Sequence, residues 1–255
     1  MKEILHQAHR GVSTDCPENT MSAYRAAVEQ GYDLIELDPK ITKDGVCVML
    51  HNQTVNRTGR RRDGKPLPED CRVDEMTLSE LRELEFGSWF APAFTGEDIP
   101  TLADVLAFCK VNAMSIKIDN VIESFTTEQQ DMIFSMIREA DLGGLVGVTG
   151  AHEAFLRRSA EALPRCGIHY DGPVTEEILK KLKSGLKDNA LYVWMRFDNA
   201  ATSWNKNAPV DRASAVMVKK YGRLGVWLLS EPEERDRVVR EFGADVLETN
   251  GELKP

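Results

Sequence analysis

The chain has 255 residues, 42% of them hydrophobic and 29% charged, which is enough apolar material for a sizeable core in one large α/β domain or two small ones. Its formal charge of -9 works against general nucleic-acid or anionic-membrane binding, because those partners reward clustered cations. An anionic ligand must therefore be held by a local arrangement of side chains.

From the amino terminus, short apolar runs with strand character lie at 4–9, 33–38, 46–51, 113–119, 145–149, 166–170, 190–196, 224–229 and 245–249. Helix-period segments separate most of them: "NTMSAYRAAVEQG", "TLADVLAFCK", "TTEQQDMIFSMIREA", "VTEEILKKLKSGL" and "EPEERDRVVREFG". Such β-α alternation implies a parallel sheet. Gly31 and Gly243 follow their helices as C-terminal glycines do, and Thr101 and Ser230 are placed as N-caps.

About eight strands in a chain of this size predict a closed (β/α)8 barrel, a TIM barrel, so one of the nine runs belongs outside it. Only "PKITKDG" separates the run ending at Asp38 from the one starting at Val46. That is too short for a crossover helix, and it predicts either a hairpin through the "KDG" turn or an extended return. Residues 52–100 then break the alternation with a polar stretch and one short helix, "TLSELRELEF", which reads as a lid or a small inserted subdomain in a single domain spanning 1–255. Arg57, Arg60, Arg61, Arg62 and Lys65 form the densest basic cluster there, either a solvated loop or a device that attracts phosphate.

Strand side chains alternate faces. Leu34, Glu36 and Asp38 oppose Ile35 and Leu37; Cys47, Met49 and His51 oppose Val46, Val48 and Leu50; Ser115, Lys117 and Asp119 oppose Met114, Ile116 and Ile118. Gln7 and His9 share a face with Leu5. Each of these runs turns polar toward its carboxyl end, where barrel enzymes keep their active sites. Paired inward carboxylates suit a hard cation such as Mg²⁺ or Ca²⁺, and the histidines suit general acid and base work beside it. Trp194, Trp204 and Trp227 lie near strand ends, where they serve as packing groups or as contacts to a substrate.

An ordered set of motifs carries a resemblance. "AHRG" at 8–11, "PENT" at 17–20, "IELD" at 35–38, "TKDG" at 42–45, "LHN" at 50–52, "NRTG" at 56–59 and "IPTL" at 99–102 resemble the glycerophosphodiester phosphodiesterase family, with "VWLL" at 226–229 and "GADVLETN" at 243–250 as softer matches. The resemblance implies a distorted (β/α)8 barrel with a subdomain inserted after the third strand. It implies hydrolysis of glycerophosphodiesters to an alcohol and glycerol 3-phosphate. By motif, His9 and His51 become the acid/base pair, Arg10 and Lys117 phosphate contacts, and Glu36 and Asp38 ligands of a divalent cation, Mg²⁺ or Ca²⁺. It further implies that the substrate's own glycerol hydroxyl attacks phosphorus, giving a cyclic phosphate that water opens.

Three positions depart from the family pattern. Ser115 replaces an expected Glu in "MSIKID", with Asp119 as the substitute ligand or else a strand-end cap; Asn52 follows His51 where Asp is usual; Asn250 stands where Asp is common. These exchanges keep two alternatives open, a catalytically impaired phosphodiester-binding barrel and a related phospholipid-directed phosphodiesterase.

Five scattered cysteines without a C-x-x-C pair fit a reduced, intracellular setting. The opening "MKEILHQAHRG" lacks an apolar leader, and no apolar run reaches the roughly 18 residues that cross a bilayer. The expectation is a cytoplasmic protein without stable membrane insertion and without a nucleic-acid partner, acting on a small molecule. Its oligomeric state is left open.

Overall fold

The computed structural model describes residues 4–67, 69–186, 188–197 and 208–255. Trp204 therefore lies outside the described residues. In chain order the strands are β1 (Leu5–Ala8), β2 (Leu34–Leu37), β3 (Pro39–Ile41), β4 (Cys47–Met49), β5 (Arg60–Arg61), β6 (Leu84–Glu85), β7 (Ser115–Ile118), β8 (Val146–Gly150), β9 (Gly167–Tyr170), β10 (Leu191–Arg196), β11 (Arg223–Trp227) and β12 (Val246–Thr249). Strands β1, β12, β11, β10, β9, β8, β7 and β2 close in that order into a parallel barrel, with β2 returning to β1. Helices α1 (Met21–Glu29), α3 (Leu102–Asn112), α4 (Thr127–Ala140), α5 (Glu153–Ala162), α6 (Glu176–Gly185), α7 (Arg212–Lys219) and α8 (Pro232–Arg237) occupy the crossovers; α2 (Leu78–Arg82) lies in the excursion between β2 and β7. Among the described residues, no helix is long and apolar enough to cross a membrane.

The run outside the barrel is the one at 46–51. Strand β4 pairs antiparallel with β3, Pro39 opposite Met49 and Ile41 opposite Cys47, through a turn in which Gly45 takes φ 81°. The hairpin reading of "PKITKDG" is the one realised. This corrects the point of departure: the chain leaves the barrel after β2, at Pro39, rather than after a third barrel strand. Seven residues cannot carry a parallel crossover, so the run at 46–51 could not follow β2 as the next parallel strand of the wall.

The excursion has its own small apolar cluster, Val48, Leu50, Val55, Val73, Leu81, Leu84, Phe86 and Ile99. Buried Glu85 accepts from the Gly87, Ser88 and Gly96 backbone N–H groups and pins the end of this segment. Glu97 accepts from the Ser22 backbone N–H at 3.0 Å and the Ser22 hydroxyl at 2.7 Å, fastening the excursion to the first turn of α1. Negative charge is favourable at that helix end.

Capping follows the sequence at Thr101, which forms a capping box with Asp104. At α8 the cap is Glu231 rather than Ser230, because Pro232 takes the first helical position. Ser230 instead donates its backbone N–H to Glu234 at 2.9 Å.

Odd and even strand positions divide as the alternation predicts. Ile35, Leu37, Ile116, Ile118, Val148, Ile168, Val193 and Val226 pack outward under the helices. Inward, Leu34, Trp194 and Val246 form an apolar layer with Leu5, Tyr192 and Trp227 against it. The Trp194 indole crosses the barrel over Gly225, where a Cβ would stand 2.6 Å from its ring, so a side chain there would clash. Its Nε1–H donates to His169 Nδ1 at 2.8 Å, and His169 stacks on Tyr192 at 4.4 Å between ring centres. Burial, with Lys117 adding to it, drives the His169 pKa well below its usual range, leaving a neutral structural imidazole.

Candidate active site at the carboxyl ends of the barrel strands

His9, Arg10, Glu36, Asp38, His51, Lys117 and Asp119 all line one cavity of about 400 Å³ at the carboxyl ends of the strands. Four strands converge there in sequence order of their tips: β1 delivers His9, β2 Asp38, the β4 end His51, and β7 Asp119.

The "HRG" turn is shaped by its backbone. Arg10 stands in the left-handed region at φ 60°, followed by Gly11 at φ 79°. A Cβ on Gly11 would meet Ala23 Cβ at 2.6 Å, so both the turn and the close approach of α1 demand glycine. The strained Arg10 conformation aims its backbone N–H at Glu36 Oε2, 3.2 Å away, and brings its guanidinium Nε to Asp38 Oδ2 at 3.1 Å. Asn19 of "PENT" is also left-handed, φ 55°, which Asn tolerates. Its Nδ2 donates to Asp38 Oδ2 at 2.7 Å while its Oδ1 accepts from the Asp38 backbone N–H and the Tyr24 hydroxyl.

Glu36, Asp38 and Asp119 bring carboxylate oxygens within 4.8 Å of one another. Three oxygen donors so close, two of them buried, are the chemistry of a hard divalent cation. Burial and the neighbouring Asp38 push Glu36 well above the usual carboxylate range, and burial with Asp38 also raises Asp119. Burial would raise Asp38 too, but Arg10, His51 and the Asn19 hydrogen bond hold it below its ordinary value. The two readings of Asp119 coexist: one oxygen accepts from the Val121 backbone N–H at 3.3 Å, and the carboxylate still joins the cluster.

Ser115 stands one inward-facing layer below Lys117. It pairs in register with Leu34, beside the barrel's apolar layer, whereas Lys117 stands level with Glu36. Lys117 approaches the cavity from its floor, with Nζ 3.5 Å from Glu248 Oε1 and 4.5 Å from the centre of the Trp194 ring.

Both histidines are held alike. His9 Nδ1 lies 2.8 Å from Asn250 Oδ1, and His51 Nδ1 lies 2.9 Å from Asn52 Oδ1. An amide oxygen only accepts, so each Nδ1 carries its proton and each Nε2 is left for the substrate. Asn52 Oδ1 also accepts from Arg57 Nε at 2.9 Å; Arg57 bonds Glu18 through both terminal nitrogens, and Glu18 accepts from Arg10 at 3.1 Å. A continuous polar chain thus links His51 to Arg10. Of the basic cluster, Arg57 alone enters it and none lines the cavity; Arg61 and Lys65 pair with Asp63, Arg62 with Asp98, and Arg60 caps local carbonyls.

Trp194 and Trp227, read from the sequence as packing groups or substrate contacts, line the cavity, whereas sequence reasoning missed Asp171, Asn120, Leu228 and Glu248. The alternation that marked Glu36 and Asp38 also places Asp171 on the inward face of "GIHYD" and Glu248 on that of "VLETN", so the signal was present without a motif to raise it. Asp171 accepts from Asn120 Nδ2 at 3.1 Å. Burial, reinforced by Asp119 and Glu248 against Lys117, pushes its carboxyl up to about 7 from 3.8. The unfolded chain releases this proton near 3.8 and the folded one near 7, so the cost of keeping Asp171 ionised grows across that interval and is absent below it. In chelator-treated protein, Asp171→Asn is expected to raise Tm above pH 7, worth roughly 4 kcal/mol at most at about 1.4 kcal/mol per unit, and to leave it unchanged at pH of about 3.5. Calorimetric melts across that range check the sign.

The description "Glycerophosphoryl diester phosphodiesterase family" matches residues 9–250. A glycerophosphodiester phosphodiesterase of Caldanaerobacter subterraneus is 45% identical over 98 residues, 38% of this chain and 37% of the relative. Glycerophosphodiester phosphodiesterase 1 of Homo sapiens is 37% identical over 114 residues, 44% of this chain and 32% of the relative. The matched stretches thus span well under two thirds of these relatives' own length. Among solved structures, a glycerophosphodiester phosphodiesterase of Agrobacterium tumefaciens superposes with TM-score 0.71 at 18% identity over 97% of this chain and 96% of that one. A phosphodiesterase of Oleispira antarctica in complex with the product sn-glycerol-3-phosphate gives 0.72 at 20% identity over 97% and 93%. At such identities the superpositions speak for the fold. The family match runs from His9 to Asn250 and includes every residue that lines the cavity, and the chain belongs to the glycerophosphoryl diester phosphodiesterase family.

Proposed function

We propose that this protein hydrolyses glycerophosphodiesters to an alcohol and glycerol 3-phosphate, with His9 and His51 as the acid/base pair. The observation that carries the reading is two imidazoles, each fixed through Nδ1 by an asparagine, facing one cavity that also holds a three-carboxylate cluster and Arg10. The names of the curated relatives and the product bound by the Oleispira antarctica protein support the substrate class.

Glu36, Asp38 and Asp119 would hold a divalent cation, Mg²⁺ or Ca²⁺, whose charge offsets that developing on the phosphate oxygens. Arg10 adds a guanidinium at the rim and Lys117 a buried positive charge from the floor, which together draw the phosphodiester into an acidic protein. In the first half-reaction the glycerol 2-hydroxyl attacks phosphorus as the P–O bond to the leaving alcohol breaks; one histidine takes the hydroxyl proton on its free Nε2, and the other, entering with both ring nitrogens protonated, gives its Nε2 proton to the departing alkoxide. The product is a cyclic phosphate. Water then opens the ring with the two roles exchanged, restoring both histidines and releasing glycerol 3-phosphate. Proton transfer of this kind supplies about 10² to 10⁴-fold, so the rest of the acceleration rests on positioning and charge.

The catalytic reading is favoured over a barrel that only binds phosphodiesters because Asn52 still orients His51. The stretch 52–100 acts as a small inserted subdomain that locks Arg57 into the polar chain beside His51. Five free cysteines support a reduced, cytoplasmic setting. Incubated with glycerophosphocholine or glycerophosphoethanolamine and either ion, the protein should release glycerol 3-phosphate; no release with Mg²⁺ or Ca²⁺ at any near-neutral pH would overturn the reading.

A further inference from the structure

Beneath the cavity rim lies a second polar layer. Gln7, Glu36, Lys117 and Glu248 come from four adjacent strands, β1, β2, β7 and β12, and each sits two residues before a group of the site: His9, Asp38, Asp119 and Asn250. All four are nearly or fully buried. Gln7 Nε2 and Lys117 Nζ both donate to the same oxygen, Glu248 Oε1. In register, Gln7 stands opposite Glu248 and Glu36 opposite Lys117.

Stability does not explain this layer. Taking a Lys–Glu pair out of water costs several kcal/mol per ion, and an apolar pair of equal volume often does as well or better. The layer below is filled in that cheaper way, by Leu34 and Val246. Lys117 also does not reach the rim: its side chain is 7% exposed and its ammonium is drawn down to Glu248. What it does reach electrostatically is Glu36 and Asp119, two of the three carboxylates of the cluster.

We propose that the Lys117 ammonium, anchored by Glu248 and Gln7, is a fixed charge that sets how tightly the Glu36–Asp38–Asp119 cluster holds a divalent cation. The inference rests on the cluster being a cation site. Lys117 repels an incoming ion and so keeps it exchangeable, while Glu248 compensates that repulsion and holds Nζ at its distance. Glu248 and Gln7 are positioning residues that act through Lys117.

The signs of the effects distinguish this role from simple packing. In calorimetric titrations with Ca²⁺ above neutral pH, Lys117→Met is expected to bind the ion tighter by about tenfold or more, and Glu248→Gln to bind it weaker by a similar factor. Lys117→Arg, which keeps the charge, should stay near the unsubstituted protein. The double variant Lys117→Met/Glu248→Gln neutralises both partners, so neither is left as an uncompensated buried charge, and it should return to within about threefold of the unsubstituted protein. Tm is recorded for each. A packing role would weaken binding in both single variants alike, and that result, or a double variant tenfold weaker than the unsubstituted protein, overturns the proposal. Failure of the unsubstituted protein to bind Ca²⁺ at all would overturn the cation site and this inference together.

Discussion

His9→Ala and His51→Ala should each lower kcat for glycerophosphodiester hydrolysis by roughly 10³-fold or more, and combining them should cost little beyond either alone. In the proposed mechanism each imidazole serves in both half-reactions, once as acid and once as base, so removing one would disable both steps. Both rings are already turned by an amide oxygen, Asn250 for His9 and Asn52 for His51, which makes the Nε2–H form of either ring the wrong tautomer. Release of glycerol 3-phosphate under saturating substrate, with binding of glycerol 3-phosphate measured separately, checks the effect: kcat falls and product affinity changes little. A His51 variant with near-normal turnover would dispose of the two-histidine mechanism.

The second large effect is expected at the carboxylates. Glu36→Gln, or treatment with a chelator, should reduce kcat about 10³-fold or more, since charge stabilisation by an ion is worth several kcal/mol and each 1.4 kcal/mol is about tenfold. Glu36 is 3% exposed and receives the Arg10 backbone N–H, so its removal withdraws a ligand and an anchor of the "HRG" turn at once. Calorimetry with Mg²⁺ and Ca²⁺ should show the ion site lost in the variant. In chelated wild-type protein, activity should return on adding back one of the two ions; full activity under chelation would refute the dependence.

Much of the architecture was legible because the physics that builds a barrel writes itself into the chain. Alternation sorted Glu36, Asp38, Lys117 and Asp119 onto the inward side, and eight of the nine apolar runs became barrel strands. The ninth was ambiguous for a physical reason: β4 is buried on both faces, Cys47 and Met49 against the barrel core and Val48 against the excursion's own cluster, so its apolar content resembles that of a barrel strand. Only the shortness of "PKITKDG" hinted otherwise.

The site was less legible where partners come from distant segments. Alternation alone cannot fix the height of a residue in the barrel; register is what sets Ser115 against Leu34 and Lys117 against Glu36. Arg57 hid within a run of basic residues whose other members pair on the surface. Asp171 and Glu248 were invisible as chemistry because an isolated acid on a strand carries no spacing pattern; burial and neighbours give them meaning.

The barrel's seam joins its first strand to its last. His9 takes its orienting oxygen from Asn250, Gln7 its acceptor from Glu248, and the Tyr32 hydroxyl donates to the Leu253 carbonyl at 3.0 Å. These bonds span more than 200 residues, 241 in the first two cases. Contacts so remote in sequence form late. During synthesis, a nascent polypeptide that has emerged through Asp119 already holds both histidines and all three carboxylates, yet lacks the asparagine oxygen that orients His9. If His9 acts as proposed, its orientation is completed only when translation has reached Asn250, and a prematurely terminated product is expected to carry the whole amino-terminal motif set and remain inert.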